Sequence, residues 1–249
     1  MKKASFILSV LLLCGFHTPD PGFHAGQMKA PKVALAYQEK WPEIKARLKE
    51  LKVDPTGYLV YIRVFKAEKI LEVWVSNGRK KTFRKFGSYA ICASSGQAGP
   101  KRSEGDGQVP EGFYDISVFN PYSNYYISLG LNYPNKSDRI LSSAKSLGGA
   151  IMIHGNCVTI GCIPLTDDKI KEVYILAEQA RSGGQEVIPV HLFPSRMTAT
   201  NMQALSAETQ ADKSILIFWK NLKTGYDFFE AGNILPDVSV APDGSYRFQ

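Results

Sequence analysis

Ile153-His154-Gly155-Asn156-Cys157-Val158-Thr159-Ile160-Gly161-Cys162-Ile163 brings a histidine, two cysteines and two glycines together, and no other part of the chain concentrates reactive side chains in this way. A thiolate nucleophile needs a base to take its proton and donors to receive the oxyanion its attack creates. His154 and Cys162 supply the first pair. Gly155 and Gly161 allow close backbone approach and positive φ. The preceding apolar run, Gly149-Ala150-Ile151-Met152-Ile153, reads as a short buried strand that delivers His154 at its end. The reactive stretch is therefore expected to hang from a sheet.

Downstream, Thr166 can cap a helix whose first turn carries Asp167 and Asp168 at its positive end. Ile170, Val173, Tyr174 and Ala177 give that helix an apolar face, and Gly183-Gly184 stops it. Val187 to Phe193 reads as a strand, with Pro189 suggesting an edge position and His191 a structural role. Upstream, Tyr58 to Phe65, Ile70 to Val75, Lys81 to Phe86 and Ser88 to Ala93 are β-rich, with Asn77-Gly78 as a hairpin turn. Cys92 occupies an apolar position and reads as a small buried core residue. Gly96 to Gly112 is a long glycine-rich connection of the kind that often binds ligands. It lacks the strand-then-helix setting and Gly-Lys-Ser/Thr ending of a phosphate loop, which argues against nucleotide binding. Phe113 to Val118 resumes a strand. The aromatic loops Asn120 to Tyr126 and Tyr133-Pro134-Asn135 suit either substrate stacking or covering the core edge.

Toward the ends, Lys2 and Lys3 precede an apolar run from Ala4 to Phe16 that reads as a secretory signal peptide and is too short for a membrane span. Leu11 to Gly15 faintly resembles a lipoprotein cleavage box around Cys14. Residues 23–36 read as a linker, and Trp41, Ile44, Leu48 and Leu51 predict a helix over Tyr37 to Leu51. Beyond 195 the chain changes character, with an amphipathic stretch from Asp212 to Phe229 and a Pro- and Gly-containing tail. The plan is a signal peptide at 1–22, a linker and N-terminal helix at 23–52, a catalytic domain at 53–194, and a C-terminal helical extension and tail at 195–249.

A hydrophobic share of 44% and a charged share of 21% are those of a globular protein, and a net charge of +7 suits an anionic setting such as a cell envelope. Zinc-finger spacing and a base-reading basic helix are both missing from the sequence, which speaks against nucleic acid as a partner. If Cys14 leaves with the signal, Cys92, Cys157 and Cys162 remain, an odd count that points to a free thiol and leaves a bridge between two of them open. Three readings of the central stretch compete: a Cys–His acyl-transfer site, a metal site using His154, Cys157 and Cys162 with His191, and a structural Cys157–Cys162 disulfide. Structural zinc sites carry paired ligands on both sides, and only one such pair is present here.

His154-Gly155 and Thr159-Ile160-Gly161-Cys162 resemble the signature of the L,D-transpeptidase catalytic domain (YkuD-like) family of bacterial cell-wall enzymes. Gly105-Asp106-Gly107-Gln108-Val109-Pro110-Glu111-Gly112-Phe113-Tyr114 looks like that family's Thr-Pro-Glu-Gly-Phe/Tyr element. The short gap from histidine to cysteine, the extra Cys157, Phe119-Asn120-Pro121-Tyr122-Ser123 and Tyr133-Pro134-Asn135 are similar to its YafK-like branch. So are Phe218-Trp219-Lys220-Asn221-Leu222 and Tyr246-Arg247-Phe248. The resemblance spans roughly residues 37–249.

It implies a mainly β fold with α, a β-sandwich catalytic domain with one internal helix, flanked by an N-terminal helix and a C-terminal helical extension. It implies Cys162 as nucleophile, His154 as general base, Gly155 orienting His154 through its carbonyl, and N–H groups near Gly161 and Cys162 holding the oxyanion. Asn156, Thr159, Tyr133 and Glu111 are the implied substrate contacts. The implied substrate is a peptidoglycan stem peptide, processed through a Cys162 thioester without cofactor or metal by an exported protein of the periplasm or cell envelope. An amine acceptor gives transpeptidation, and water gives a carboxypeptidase or an amidase that releases peptidoglycan-linked lipoprotein. Two positions depart from the family: Ile160 stands where a second histidine is usual, and Pro164 where an arginine is common. The nucleophile and base carry over; the usual substrate contacts do not follow from the pattern. A reading of a different class is a non-catalytic peptidoglycan-binding module using charge and loop aromatics.

Overall fold

The computed structural model describes residues 19–78, 81–208 and 212–249. The expected signal peptide and Cys14 fall mostly or wholly outside them. Two helices open the described chain, α1 (Pro21–Met28) and α2 (Pro31–Glu50). The region read as a linker is therefore helical. Its anchors lie far away in sequence: Tyr37 and His24 both bond the buried carboxylate of Glu178, and Tyr174 donates to Gln27. Among the described residues no helix is long and apolar enough to cross a membrane.

The body is one curled eight-stranded sheet of order β3-β2-β1-β8-β4-β5-β6-β7. Its strands are β1 (Leu59–Phe65), β2 (Ile70–Ser76), β3 (Arg84–Ala90), β4 (Gly112–Asn120), β5 (Ser128–Leu131), β6 (Met152–His154), β7 (Ile163–Pro164) and β8 (Pro189–Phe193). β4 is the bend. Its first half pairs with β8, its second half with β5, and the register shifts between Ile116 and Val118. The stretches expected as separate strands at Lys81 to Phe86 and Ser88 to Ala93 form the single strand β3, and residues beyond Ala90 leave the sheet as an extended strap.

Both faces of the sheet are covered, which is why β1 reads as an almost unbroken apolar run. Val60, Ile62 and Val64 face a core shared with α2 and with α4 (Asp167–Ser182). On the opposite face lie Tyr61 and Phe65, in clusters with residues of α6 (Lys213–Gly232). Phe218, Trp219, Leu222, Tyr226 and Phe229 form the apolar stripe of α6 at helical spacing. Gly225 lets the helix sit close, because a Cβ there would stand 2.4 Å from the Phe248 ring and 2.6 Å from Phe113. The C-terminal extension thus closes the second face of the sheet. Its tail adds a hairpin, β9 (Val238–Val240) with β10 (Tyr246–Phe248). α5 (Ala199–Glu208) precedes α6, and a short α3 (Lys136–Leu141) adds a second helix inside the domain to the one expected.

Two local expectations fail for identifiable reasons. β8 lies between β1 and β4, not at an edge. Pro189 is tolerated there as the first residue of its strand, since pairing with β1 begins only at Val190. Thr166 occupies the N-cap of α4 without a side-chain cap bond; the Asp167 carboxylate, one residue on, turns outward to accept from Asn156 N–H at 2.8 Å.

Candidate active site

β6 and β7 run parallel, with Ile153 opposite Ile163 and His154 opposite Pro164. Ile153 and Ile163 point into the core. By alternation His154 turns to the other face of β6, and Cys162 lies immediately before β7, a diagonal of about 8 Å between the two Cα atoms if ordinary strand spacings are carried back one residue.

His154 is buried, and its Nδ1 lies 2.5 Å from the Gly155 carbonyl oxygen. A carbonyl only accepts, so Nδ1 carries the ring hydrogen and Nε2 keeps its lone pair. Burial lowers the imidazole pKa, against the opposing pull of that carbonyl. Tyr125 packs over the ring at 4.8 Å, and its own carbonyl accepts from Gly155 N–H at 3.0 Å. No side chain fits at residue 155: a Cβ would stand 2.5 Å from Asp167 Oδ1 and 2.8 Å from Tyr126 Cβ.

Cys162 is half-buried and is the free cysteine of the described chain. Its thiol donates to Ala150 O at 3.6 Å. Burial pushes the thiol pKa up, opposed by a bond from the Met152 backbone and by the charge of Lys101. Both shifts favour the uncharged forms, thiol and neutral imidazole. Cys162 lines a cleft of about 460 Å³, walled also by Ser94–Gln97 of the strap, by Lys69 in the β1–β2 turn and by Ala204 and Leu205 of α5.

The other cysteines correct the sequence reading. Cys92 is not a buried core residue; it is exposed and forms a disulfide with Cys157. That bond removes the Cys157–Cys162 pairing and takes Cys157 from the candidate metal set. Among the described residues no three His, Cys, Asp or Glu side chains gather as metal ligands would. His191 sits on β8 within the sheet, with its pKa pushed down to about 3 by complete burial and then by Arg63, and it shares a 2.8 Å hydrogen bond with Tyr61.

The remaining candidates divide. Asn156 is exposed in left-handed conformation, at φ 58°, beside the disulfide. Thr159 Oγ1 accepts from Cys162 N–H at 2.8 Å and donates to Cys162 O at 2.9 Å, so it braces the nucleophile's backbone. Gly161, at φ 92°, sends its N–H to Ser95 Oγ at 2.6 Å. Glu111 and Tyr133 are both buried, with their polar atoms bonded within the protein. Glu111 is fully buried and accepts from Lys66 Nζ, Gly99 N–H and Trp219 Nε1. Tyr133 is buried with its hydroxyl on Lys101 O and Leu147 O. Ser95, Tyr125 and Asp167 belong to the site and carry no local sequence signal of it.

The L,D-transpeptidase catalytic domain (YkuD) family model matches residues 59–190. Two proteins named "Putative L,D-transpeptidase YafK", from two strains of Escherichia coli, are each 38% identical over 200 residues, which is 80% of this chain and 77% of theirs. Among solved structures, the helical cell shape determining protein Pgp2 of Campylobacter jejuni aligns at TM-score 0.45 and 23% identity, over 74% of this chain and 65% of that one. Bd1075 of Bdellovibrio bacteriovorus aligns at TM-score 0.38 and 21% identity, over 61% and 54%. The chain spans less than two thirds of either structure's length.

Proposed function

The chain belongs to the L,D-transpeptidase catalytic domain family, and from that premise we propose that it is an exported cysteine acyltransferase acting on peptidoglycan stem peptides through a thioester on Cys162. The observation that carries this reading is a free thiol lining a cleft, at the start of the strand paired with the one that ends in an imidazole whose tautomer leaves Nε2 basic.

In the resting state the proton is on sulfur. As Cys162 Sγ bonds to the scissile carbonyl carbon, that proton passes to His154 Nε2, and the carbonyl π pair moves onto oxygen. Collapse of the tetrahedral adduct breaks the C–N bond, and the imidazolium returns its proton to the leaving amine. An amine acceptor then attacks the thioester to give a cross-link. Water in its place gives hydrolysis, including release of a peptide-linked lipoprotein. Gly155 holds the imidazole by its carbonyl, and its lack of a side chain lets Asp167 and Tyr126 close around it.

Muropeptide chromatography after incubation of purified protein with peptidoglycan tests the reading. New 3–3 cross-linked species are expected with the native chain and absent with Cys162→Ala. Shortened stems without new cross-links would assign hydrolysis, and retention on peptidoglycan with unchanged muropeptides would leave a binding module.

A further inference from the structure

An acyl-transfer site needs a hydrogen-bond donor where charge builds on the carbonyl oxygen. Of the backbone N–H groups around the thiol, that of Cys162 is taken by Thr159 Oγ1 and that of Gly161 by Ser95 Oγ, while the Met152 backbone bonds the sulfur itself. The two hydroxyls differ. A serine or threonine hydroxyl has a single proton to donate. Thr159 spends its proton on Cys162 O. Ser95 accepts from Gly161 N–H, and among the described residues its own proton has no acceptor. Ser95 is half-buried and lines the same cleft as Cys162.

The strap that carries Ser95 is fixed against the reactive loop at three points. Cys92 is bonded covalently to Cys157, Cys92 N–H donates to Pro164 O at 3.1 Å, and Ser95 receives Gly161 N–H. These ties seat the strap on both sides of the nucleophile.

We propose that Ser95 is a catalytic residue of this site: its hydroxyl, oriented by Gly161 N–H, donates a hydrogen bond to the oxyanion formed when Cys162 attacks a carbonyl, and the Cys92–Cys157 disulfide holds it in place. The proposal rests on Cys162 being an acylated nucleophile, as proposed above. Ser95 keeps its proton throughout; the bond to the oxyanion strengthens as the S–C bond forms and weakens when the thioester carbonyl is restored.

Two small electrophiles separate this role from a structural one. Iodoacetamide alkylates a thiol by displacement, with no tetrahedral oxyanion, whereas p-nitrophenyl acetate acylates it through one. Ser95→Ala is expected to slow acylation of Cys162 by p-nitrophenyl acetate about a hundredfold, the scale of one lost oxyanion donor, while alkylation by iodoacetamide stays within about twofold. An equal fall in both rates would make Ser95 a support for the thiol and overturn the proposal. So would no fall in acylation, or native acylation no faster than that of free cysteine. Failure of the peptidoglycan reading is separable, because it would appear as inert muropeptides alongside an unchanged ester result.

Discussion

The β6–β7 segment and the 91–98 strap face each other across the nucleophile, yet they hold their places by opposite means. In the first, the decisive contacts are between near neighbours in sequence: His154 with Gly155, Cys162 with Thr159, Asn156 with Asp167. In the second they are between distant parts of the chain: a disulfide at a sequence separation of 65, and a Ser95–Gly161 bond separated by 66. Local bonding confines reactive residue types to a short stretch and makes it readable as a motif. Long-range bonding leaves ordinary-looking residues that acquire a task only when the sheet curls.

The comparison is broken most sharply by removing the locally held base. His154→Gln keeps a hydrogen-bonding side chain on β6 but cannot take the thiol proton, and acylation is expected to fall by about 10²–10⁴-fold, measured by stopped-flow with an activated ester. Cutting the covalent tie of the strap is next. The double variant Cys92→Ser with Cys157→Ser should lose about 2–4 kcal/mol of unfolding free energy in urea titration, the range for removing a native crosslink. Its acylation rate should also fall further below the native value than its alkylation rate does, because Ser95 loses its seat. Loss of stability with both rates unchanged would show that the strap positions nothing.

Gly155→Ala tests the packing of the local segment. The added Cβ meets Asp167 Oδ1 and Tyr126 Cβ well inside contact distance. Overpacking of about 1–3 kcal/mol is expected, read as a lower melting temperature with a displaced imidazole resonance. A further expected effect, spread over several pH units, is a pH dependence that belongs to the sheet. His191 is pushed down to about 3 in the folded chain, against about 6.5 unfolded. Between those values the unfolded chain binds a proton that the folded chain does not. Stability is therefore fully present above pH 6.5 and falls with decreasing pH, by about 1.4 kcal/mol per unit for this one group. The lowered His154 pKa acts in the same direction. His191→Leu should flatten the slope measured by urea denaturation between pH 6.5 and 4.

This contrast also explains how much was legible in the sequence. β1, β2, β4, β8, α4 and α6 follow from apolar periodicity, and His154, Gly155 and Cys162 from residue chemistry in one stretch. Cys92 looked like core because an apolar neighbourhood cannot show that its partner lies 65 residues away. α1 looked like a linker because its anchors, Glu178 and Tyr174, sit on α4, more than a hundred residues further along. Pro189 suggested an edge because the rule concerns a missing N–H, and the first residue of a central strand can lack one without breaking a pair. Glu111 and Tyr133 stand in the motifs that carry the resemblance, but only the fold shows that their polar atoms bond Trp219, Lys66 and backbone carbonyls.

The central claim is that Cys162 becomes acylated while Cys92 and Cys157 are occupied with each other. Intact-mass spectrometry followed by peptide mapping, after incubation with a carbapenem, tests it directly. The account predicts a single adduct on the peptide containing Cys162, lost in Cys162→Ala, with Cys92 and Cys157 recovered as a linked pair. An adduct that persists in Cys162→Ala, or that maps to Cys92 or Cys157, would contradict it.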